Sequence, residues 1–270
     1  MDRFKLIKNL KQPSDEKIVM LVLDGLGGLP KNGKTELEAA NTPNLDSLAG
    51  DSDTGLMNPL LPGITPGSGP GHLSLFGYDP LEYIIGRGIL SALGVKFPIQ
   101  DGDFAARVNF ATIDPEGRIT DRRAGRIPDE TNKKMCEKIR EISIPGVEFF
   151  IETEKDHRAA LILRGGQFSP EISETDPQKT GVPPHTVKPL DGSSTAQKTA
   201  DLLNSFLKNV KTKLSSENPA NMILLRGFSL FTKIPSFREI YGLNACAIAG
   251  YPMYRGLARL VGMDIAEVES

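Results

Sequence analysis

Short apolar runs alternate with turn-forming residues along the chain, and longer segments with helical spacing lie between them. The run Ile18–Leu23 is apolar on both faces and rich in strand-forming residues, which is typical of a strand covered on both sides of a parallel sheet. A capping-box spacing at Thr35–Glu38 predicts a helix after this run, and Pro43 predicts the start of another. This order of strand, loop and helices indicates an α/β fold.

The pattern changes near residue 95, and we interpret the segment from there to about residue 219 as an insertion. Within it we predict strands at 104–113, 118–120, 147–152 and 157–163, and helices at 128–142 and from Ser193 or Ser194 to about 214. Beyond it we predict strands at 221–225 and 246–249, a helix at 252–263 and an acidic tail. The second part of the chain therefore returns to the alternating pattern of the first.

A glycine-rich loop surrounds Ser68, ahead of a predicted helix at 72–76. Glycines at positions 67, 69 and 71 keep the backbone near the hydroxyl free of Cβ atoms. The free amides and the dipole at a helix start suit a phosphate oxygen or a serine alkoxide. The same spacing also suits a serine that does no more than cap the helix.

Two charged residues directly follow predicted strands. Asp24 follows Ile18–Leu23, at the end of a strand where a metal-binding carboxylate would serve, although an Asp-Gly turn explains the same dipeptide. Arg226 follows the strand at 221–225 and is a candidate for anion binding.

Arginines also cluster inside the predicted insertion. Arg122, Arg123 and Arg126 lie within five positions and offer planar, bidentate donors for a phosphate and a carboxylate, or else form a solvated loop. His157 and Arg158 begin a predicted strand, where neighbouring side chains point to opposite faces. At most one of them would then face a ligand, unless the backbone is irregular, and a surface histidine is the simpler alternative.

The composition restricts the class of protein. Hydrophobic residues make up 39% and charged residues 24% of the 270 positions, as in globular proteins. The net charge of −2 argues against a nucleic-acid scaffold or an anionic-membrane binder, and no apolar run is long enough to span a bilayer. Cys136 and Cys246 match no metal spacing, and no export signal is present, so we expect reduced thiols and a cytoplasmic protein.

Several motifs occur together in a specific order. They are Leu23-Asp24-Gly25, residues 40–48 (Ala-Asn-Thr-Pro-Asn-Leu-Asp-Ser-Leu), residues 65–72 around Ser68, residues 86–94 beginning Gly-Arg-Gly, and residues 248–256 ending Tyr-Arg-Gly. In this combination the sequence resembles the archaeal-type cofactor-independent phosphoglycerate mutases of the alkaline phosphatase superfamily. The resemblance covers the chain from about residue 17 onward.

The resemblance implies a fold and a domain organisation. The expected fold is α/β, with an alkaline-phosphatase-like sheet core that has helices on both faces and is interrupted by an inserted α+β lid domain. The implied limits are 1–85 for the first part of the core, 86–219 for the lid and 220–270 for the second part of the core.

The resemblance also implies chemical roles. Ser68 matches the nucleophile that becomes a phosphoserine and also binds metal, and Asp24 matches a ligand of one of two divalent ions, which are Mn or Mg, or else Zn or Co. The implied reaction interconverts 3-phosphoglycerate and 2-phosphoglycerate. The residues implied to bind the substrate are Arg122, Arg123, Arg126, His157, Arg158 and Arg226.

The sequence departs from the family pattern in its histidines. Only His72, His157 and His185 are present, so none follows residue 185, where the family has further metal ligands. We therefore expect a chain truncated at its C-terminus. The remaining metal ligands are then supplied by another chain or absent. A homo-oligomer is one form that such an assembly could take. Another phosphomutase or phosphatase, or an inactive anion-binding remnant, are the alternatives.

Overall fold

The computed structural model describes residues 3–267 of the chain. Contacts divide the chain into a unit of residues 12–58 and a larger unit of residues 1–11 and 59–270. Among the described residues no helix is both long and apolar enough to cross a membrane.

The larger unit is built on an antiparallel sheet, and a separate pair of short strands is parallel. The strands are β1 (Phe104–Ile113), β2 (Ile119–Asp121), β3 (Glu148–Lys155), β4 (Arg158–Arg164), β5 (Met222–Leu230), β6 (Cys246–Ala247) and β7 (Asp264–Ile265). The sheet has the order β2-β1-β4-β3, and β5 also pairs with β1. The parallel pair is β6 and β7.

Both units contain helices, and helices of the larger unit cover both faces of its sheet. The helices are α1 (Arg3–Leu10), α2 (Glu36–Ala39), α3 (Pro43–Gly50), α4 (Ser68–Leu75), α5 (Arg87–Gly94), α6 (Asp129–Arg140), α7 (Ser194–Lys213), α8 (Phe237–Tyr241) and α9 (Pro252–Leu260), with a short 3-10 helix at Ala124–Arg126.

The two faces of β1 have different partners because side chains alternate along a strand. Phe104, Ala106, Val108 and Phe110 are buried with residues of α6 and α7 in the main core. Ala105, on the opposite face, is buried with residues of α5 and β4. Because α5 has only eight residues, it packs over one end of its face of the sheet.

Close contacts between helices bring α4, α5 and α9 together. A Cβ added at Gly256 of α9 would lie 2.1 Å from the Leu90 carbonyl oxygen of α5, so only glycine permits this approach. Leu73 of α4 and Leu257 of α9 are buried in one cluster with Leu90. The start of α4, which carries Ser68, is therefore fixed to the helices that lie beside the sheet.

Several predicted elements are confirmed. The strand at 104–113 and the helix from Ser193 match the structure, and Ser193 accepts a hydrogen bond from the Ala196 amide as the cap of α7. The hairpin near 147–163 forms as β3 and β4, and the mixed helix and strand fold is as expected. The domain limits at 85/86 and 219/220 stay predictions, although β5 lies in the same sheet as β1.

The predicted strand Ile18–Leu23 is wrong. This run has no strand structure, and Val19 and Leu21 are 88% and 77% exposed. A strand of a parallel sheet needs hydrogen-bonded neighbours and covering helices, and none of the described strands pairs with this run. Within the same unit, the Thr35–Glu38 capping box and the helix beginning at Pro43 are confirmed.

The predicted end of the strand at Arg226 is also wrong. The strand continues as β5 to Leu230, antiparallel to β1. Gly227 has a φ of +62°, and the pairing shifts register between Ala105 and Arg107, so the glycine forms a bulge in place of a turn. Near the C-terminus α9 ends at Leu260, before the expected Met263, and β7 takes up part of the predicted tail.

Candidate active site

A small cleft of about 70 Å³ opens on the same face of the sheet as α5, over the part that α5 does not cover. Cationic and polar side chains line it almost completely. The lining residues are Arg107, Asn109, Arg122, Arg123, His157, Arg158 and Arg226.

Strand pairing brings four of these side chains together. Arg107 and Asn109 occupy alternate positions of β1, so they share the face on which Ala105 packs against α5. Arg226 of β5 lies directly opposite Arg107, and Arg158 of β4 lies directly opposite Asn109. The central strand β1 and two of its three partners, β4 and β5, therefore contribute to one site.

His157 reaches the same cleft because the hairpin backbone is irregular there. Asp156 has a φ of +51°, and the pairing of β3 with β4 shifts register between Thr153 and Lys155. His157 and Arg158 therefore both line the cleft, which is the exception to strand alternation that the sequence left open. The alternative of a surface histidine is wrong, since His157 is 2% exposed.

The loop after β2 supplies Arg122 and Arg123. The Asp121 carboxylate accepts hydrogen bonds from the amides of Arg123 at 2.8 Å and Gly125 at 2.7 Å, which shapes the loop. Residues 124, 125 and 126 have φ values of +47°, +64° and +55°, a left-handed run that is costly for non-glycine residues and is most often kept at functional sites. Arg126, at the end of this run, is exposed and does not line the cleft.

Two carboxylates hold the arginines in place. Asp176, whose side chain is fully buried, accepts two hydrogen bonds from Arg122, both at 2.8 Å, and one from Arg226 at 3.5 Å. Glu174 accepts from Arg226 Nε at 3.0 Å and from the Gly227 amide at 2.9 Å. Burial alone would raise the pKa of Asp176, but the hydrogen bonds from Arg122 and the Gln178 amide, with the nearby arginine charges, lower it below its ordinary value. Both carboxylates thus fix guanidinium groups that lie at the cleft.

Several buried polar atoms of the lining have no partner within residues 3–267. A buried polar atom without a hydrogen bond is costly, so such a group is usually kept for a ligand or an ordered water. The unpartnered atoms in the lining are Arg107 Nε, Asn109 Oδ1, His157 Nδ1 and Arg158 Nε.

Buried titratable groups adjoin the lining. Glu154 accepts a hydrogen bond from Ser91 at 2.8 Å. Burial raises the pKa of Glu154, and the Ser91 hydrogen bond and the charges of Arg107 and Arg158 oppose that shift. Burial, reinforced by the charges of Arg158, Arg123 and Arg107, lowers the pKa of His157 to about 4. His157 is therefore neutral near pH 7, while the arginines give the cleft a positive charge.

We expect a bound anion to raise the pKa of His157 above its value of about 4, because negative charge offsets the surrounding arginines. NMR titration of the ring protons with and without 3-phosphoglycerate measures this shift, and glycerol, which is uncharged, serves as the control. In the absence of ligand, His157 binds a proton more readily in the unfolded chain than in the folded protein. The free energy of unfolding should therefore fall as the pH drops from about 6.5 towards 4. An unchanged pKa with saturating ligand would contradict the expectation.

Ser68 is the first residue of α4, and Gly67, with no side chain to cap the helix, occupies the cap position. The interpretation of Ser68 as only a helix cap is therefore wrong. The Ser68 side chain is exposed at the positive end of the helix. His72 Nδ1 donates to the Ser68 carbonyl oxygen at 2.8 Å.

Ring contacts connect the Ser68 helix with the arginine cleft. The ring centroids of His72 and Tyr254 lie 4.7 Å apart, and those of Tyr254 and Tyr251 lie 5.8 Å apart. Arg158 stacks over Tyr251 at 5.6 Å from the ring centroid. These contacts join the helix that begins at Ser68 to the cleft.

The predicted metal ligands are Asp24 and Ser68. Asp24 lies in the unit of residues 12–58 and forms a turn with Gly25, whose φ is +77°. Among residues 3–267, no three His, Cys, Asp or Glu side chains come together as a metal-binding group. Two divalent ions need several carboxylate or imidazole donors each, so the donors in this part of the chain do not fit two ions.

Arg107 and Asn109 belong to the cleft and were not predicted as site residues. The available signal was a charged and an amide side chain at alternate positions of an otherwise apolar strand. Such residues on one face of a buried strand indicate a polar site on that face.

An arginine-lined cleft with unpartnered buried donors suits a small anion chemically. A sequence model described as 2,3-bisphosphoglycerate-independent phosphoglycerate mutase matches residues 49–221. The chain is also 50% identical over 273 residues to the probable enzyme of that name from Thermus thermophilus, covering 100% of this chain and 67% of the relative. For the Deinococcus radiodurans relative the identity is 48% over 275 residues, covering 99% and 67%. The chain belongs to the 2,3-bisphosphoglycerate-independent phosphoglycerate mutases, a family of isomerases.

Two solved structures resemble the fold. A protein from Pyrococcus horikoshii matches with a TM-score of 0.70 and 29% identity, over 90% of this chain and 59% of that one. The cofactor-independent phosphoglycerate mutase from Thermoplasma acidophilum matches with a TM-score of 0.58 and 35% identity, over 73% and 56%. This chain therefore spans about two thirds of the curated relatives and under 60% of the two solved chains.

Proposed function

We propose that this chain carries the serine nucleophile and the substrate-binding arginines of a mutase that interconverts 3-phosphoglycerate and 2-phosphoglycerate. The observation that carries the proposal is the arginine cleft with its unpartnered buried donors, joined by ring contacts to the helix that begins at Ser68. Family membership narrows the anion to a phosphoglycerate.

The charges of the cleft suit this substrate. A phosphoglycerate carries a phosphate and a carboxylate, and guanidinium groups bind both in a bidentate manner. Asp176 and Glu174 occupy part of the hydrogen-bonding capacity of Arg122 and Arg226. Arg107, Arg123 and Arg158 form no ion pair within the described residues, so their charges are available to a bound anion. Neutral His157 can bond a hydroxyl of the substrate through its unpartnered Nδ1.

In the proposed reaction, the serine at the start of α4 is the nucleophile. Ser68 Oγ attacks the phosphorus of 3-phosphoglycerate and forms a bond to it, the bond from phosphorus to the 3-oxygen of glycerate breaks, and overall the Ser68 proton passes to that oxygen. The cleft retains the glycerate, which turns. Its 2-hydroxyl then attacks the phosphoserine, the bond from phosphorus to Oγ breaks, and the 2-hydroxyl proton passes overall to Ser68. The amides and dipole at the start of α4 stabilise negative charge on the transferred group.

Two divalent metal ions, Mn or Mg, or else Zn or Co, remain part of the proposal, with Asp24 and Ser68 as ligands. When bound, such ions neutralise phosphate oxygens and lower the pKa of a hydroxyl. The remaining ligands would come from outside the described residues. A cytoplasmic location and self-association also remain predictions.

Binding of 3-phosphoglycerate tests the substrate. We expect Arg123→Ala to weaken binding about tenfold, as for loss of a charge-assisted hydrogen bond. Arg126→Ala is the matched control, because Arg126 belongs to the same loop and does not line the cleft. Isothermal titration calorimetry measures both variants. Equal losses in the two variants would contradict this assignment of the cleft.

Anion binding without phosphoryl transfer is the second candidate. The observation that favours it is the lack of a three-residue metal-binding group among residues 3–267. It predicts that the chain binds 3-phosphoglycerate, and that Ser68 stays unmodified with manganese present.

A further inference from the structure

The Gly86-Arg87-Gly88 and Arg226-Gly227 motifs form one tightly packed junction. A Cβ at Gly227 would lie 2.7 Å from Arg87 Cβ, and a Cβ at Gly86 would lie 2.7 Å from the Gly227 carbonyl oxygen. A Cβ at Gly88 would lie 2.4 Å from the Ala105 carbonyl oxygen. Three glycines thus allow the first turn of α5 to lie directly on the backbones of β1 and β5, which fixes the position of Arg87.

The Arg87 side chain extends from this junction towards the nucleophile loop. Its Nη2 atom lies 3.8 Å from the position of a Cβ on Gly67, the residue before Ser68. Its charge also reaches the cleft, because it adds to burial and to Arg158 in lowering the pKa of Arg107. Arg87 therefore lies between Ser68 and the cleft arginines.

The donors of Arg87 have no partner among the residues that the structure describes. Within residues 3–267 its exposed guanidinium makes no hydrogen bond or ion pair, whereas Arg226, on the other side of Gly227, is held by Glu174 and Asp176. A fixed backbone with unpartnered planar donors beside Gly67, the residue before Ser68, suits the oxygens of a phosphoryl group.

We propose that Arg87 binds the phosphoryl group on the Ser68 side of the site, while the cleft arginines bind the glycerate carboxylate. This division of the substrate rests on the proposed function. It gives the two anionic ends separate partners, so that glycerate can turn in the cleft while the phosphoryl group stays beside Ser68.

The test compares the binding of 3-phosphoglycerate with that of glycerate, which lacks the phosphoryl group. The ratio of the two affinities reports contacts to the phosphoryl group, because contacts to the carboxylate cancel. We expect Arg87→Ala to lower this ratio about tenfold and Arg87→Lys to lower it less. Arg238→Ala, which removes an exposed arginine of α8, should leave the ratio unchanged.

The calorimetry tests the role of Arg87 separately from the proposed function. Loss of 3-phosphoglycerate affinity in Arg87→Ala with unchanged glycerate affinity supports the proposal. An unchanged ratio in Arg87→Ala, with a wild type that prefers 3-phosphoglycerate, overturns the role of Arg87 and leaves the proposed function intact. A wild type without that preference overturns the proposed function and this inference with it. Folding is controlled by the melting temperature, which a surface truncation that keeps Cβ should leave nearly unchanged.

Discussion

Replacing Ser68 with alanine should abolish phosphorylation of the chain, a loss of about 10⁴-fold or more if the hydroxyl is the nucleophile. Alanine retains the helix start because Gly67 is the cap and the Ser68 side chain makes no cap hydrogen bond. The chemistry would then be lost without loss of structure. The measurement is mass spectrometry of the peptide around residue 68 after incubation with 3-phosphoglycerate and manganese.

Ser74→Ala is the matched control for this experiment. Ser74 belongs to the same helix, and its hydroxyl donates to the Pro59 carbonyl oxygen, so it has a structural partner. We expect this variant to be phosphorylated like the wild type. Phosphate on another serine, with Ser68 unmodified, would contradict the assignment of the nucleophile.

Asp176→Asn should lower the free energy of unfolding by about 2–3 kcal/mol. The carboxylate is fully buried and binds Arg122 and Arg226, so its loss leaves Arg122 without a counter-charge and leaves Arg226 with Glu174 alone. We expect a smaller loss of stability than for a fully buried ion pair, because the Arg122 side chain is 27% exposed. Urea denaturation followed by circular dichroism measures the change.

Added phosphate separates the effect on the cleft from a general loss of packing. An anion that enters the cleft replaces the missing negative charge, so phosphate should stabilise the variant more than the wild type. Glu130→Gln is the control, since it removes an exposed carboxylate paired with Lys133, and it should change neither stability nor the response to phosphate. An Asp176→Asn variant as stable as the wild type would show that Asp176 does not hold the arginines.

Local patterns were sufficient for the elements whose stability comes from nearby residues. Helix α7 and the serine that caps it follow from helical spacing and capping chemistry, and the structure has both. The run Ile18–Leu23 failed because strand formation depends on pairing partners distant in sequence, which composition does not reveal.

The residues of the cleft also divide into those that the local sequence predicts and those that depend on distant strand pairing. Arg122 and Arg123 stood out because they adjoin in sequence, and both line the cleft. Arg107 and Asn109 join them only through strand register, which sets Arg107 opposite Arg226 and Asn109 opposite Arg158. Arg126 could not be separated from its neighbours in advance, because the left-handed backbone at 124–126 decides its direction.

The exposed apolar run at residues 18–23 has a consequence for the lifetime of the chain in a cell. Chaperones and quality-control proteases bind apolar segments that are open to solvent, and such segments also favour association between copies. The abundance of the chain would then depend on how quickly this segment is covered after synthesis. Turnover would be set by residues 18–23, while the chemistry depends on residues elsewhere in the fold.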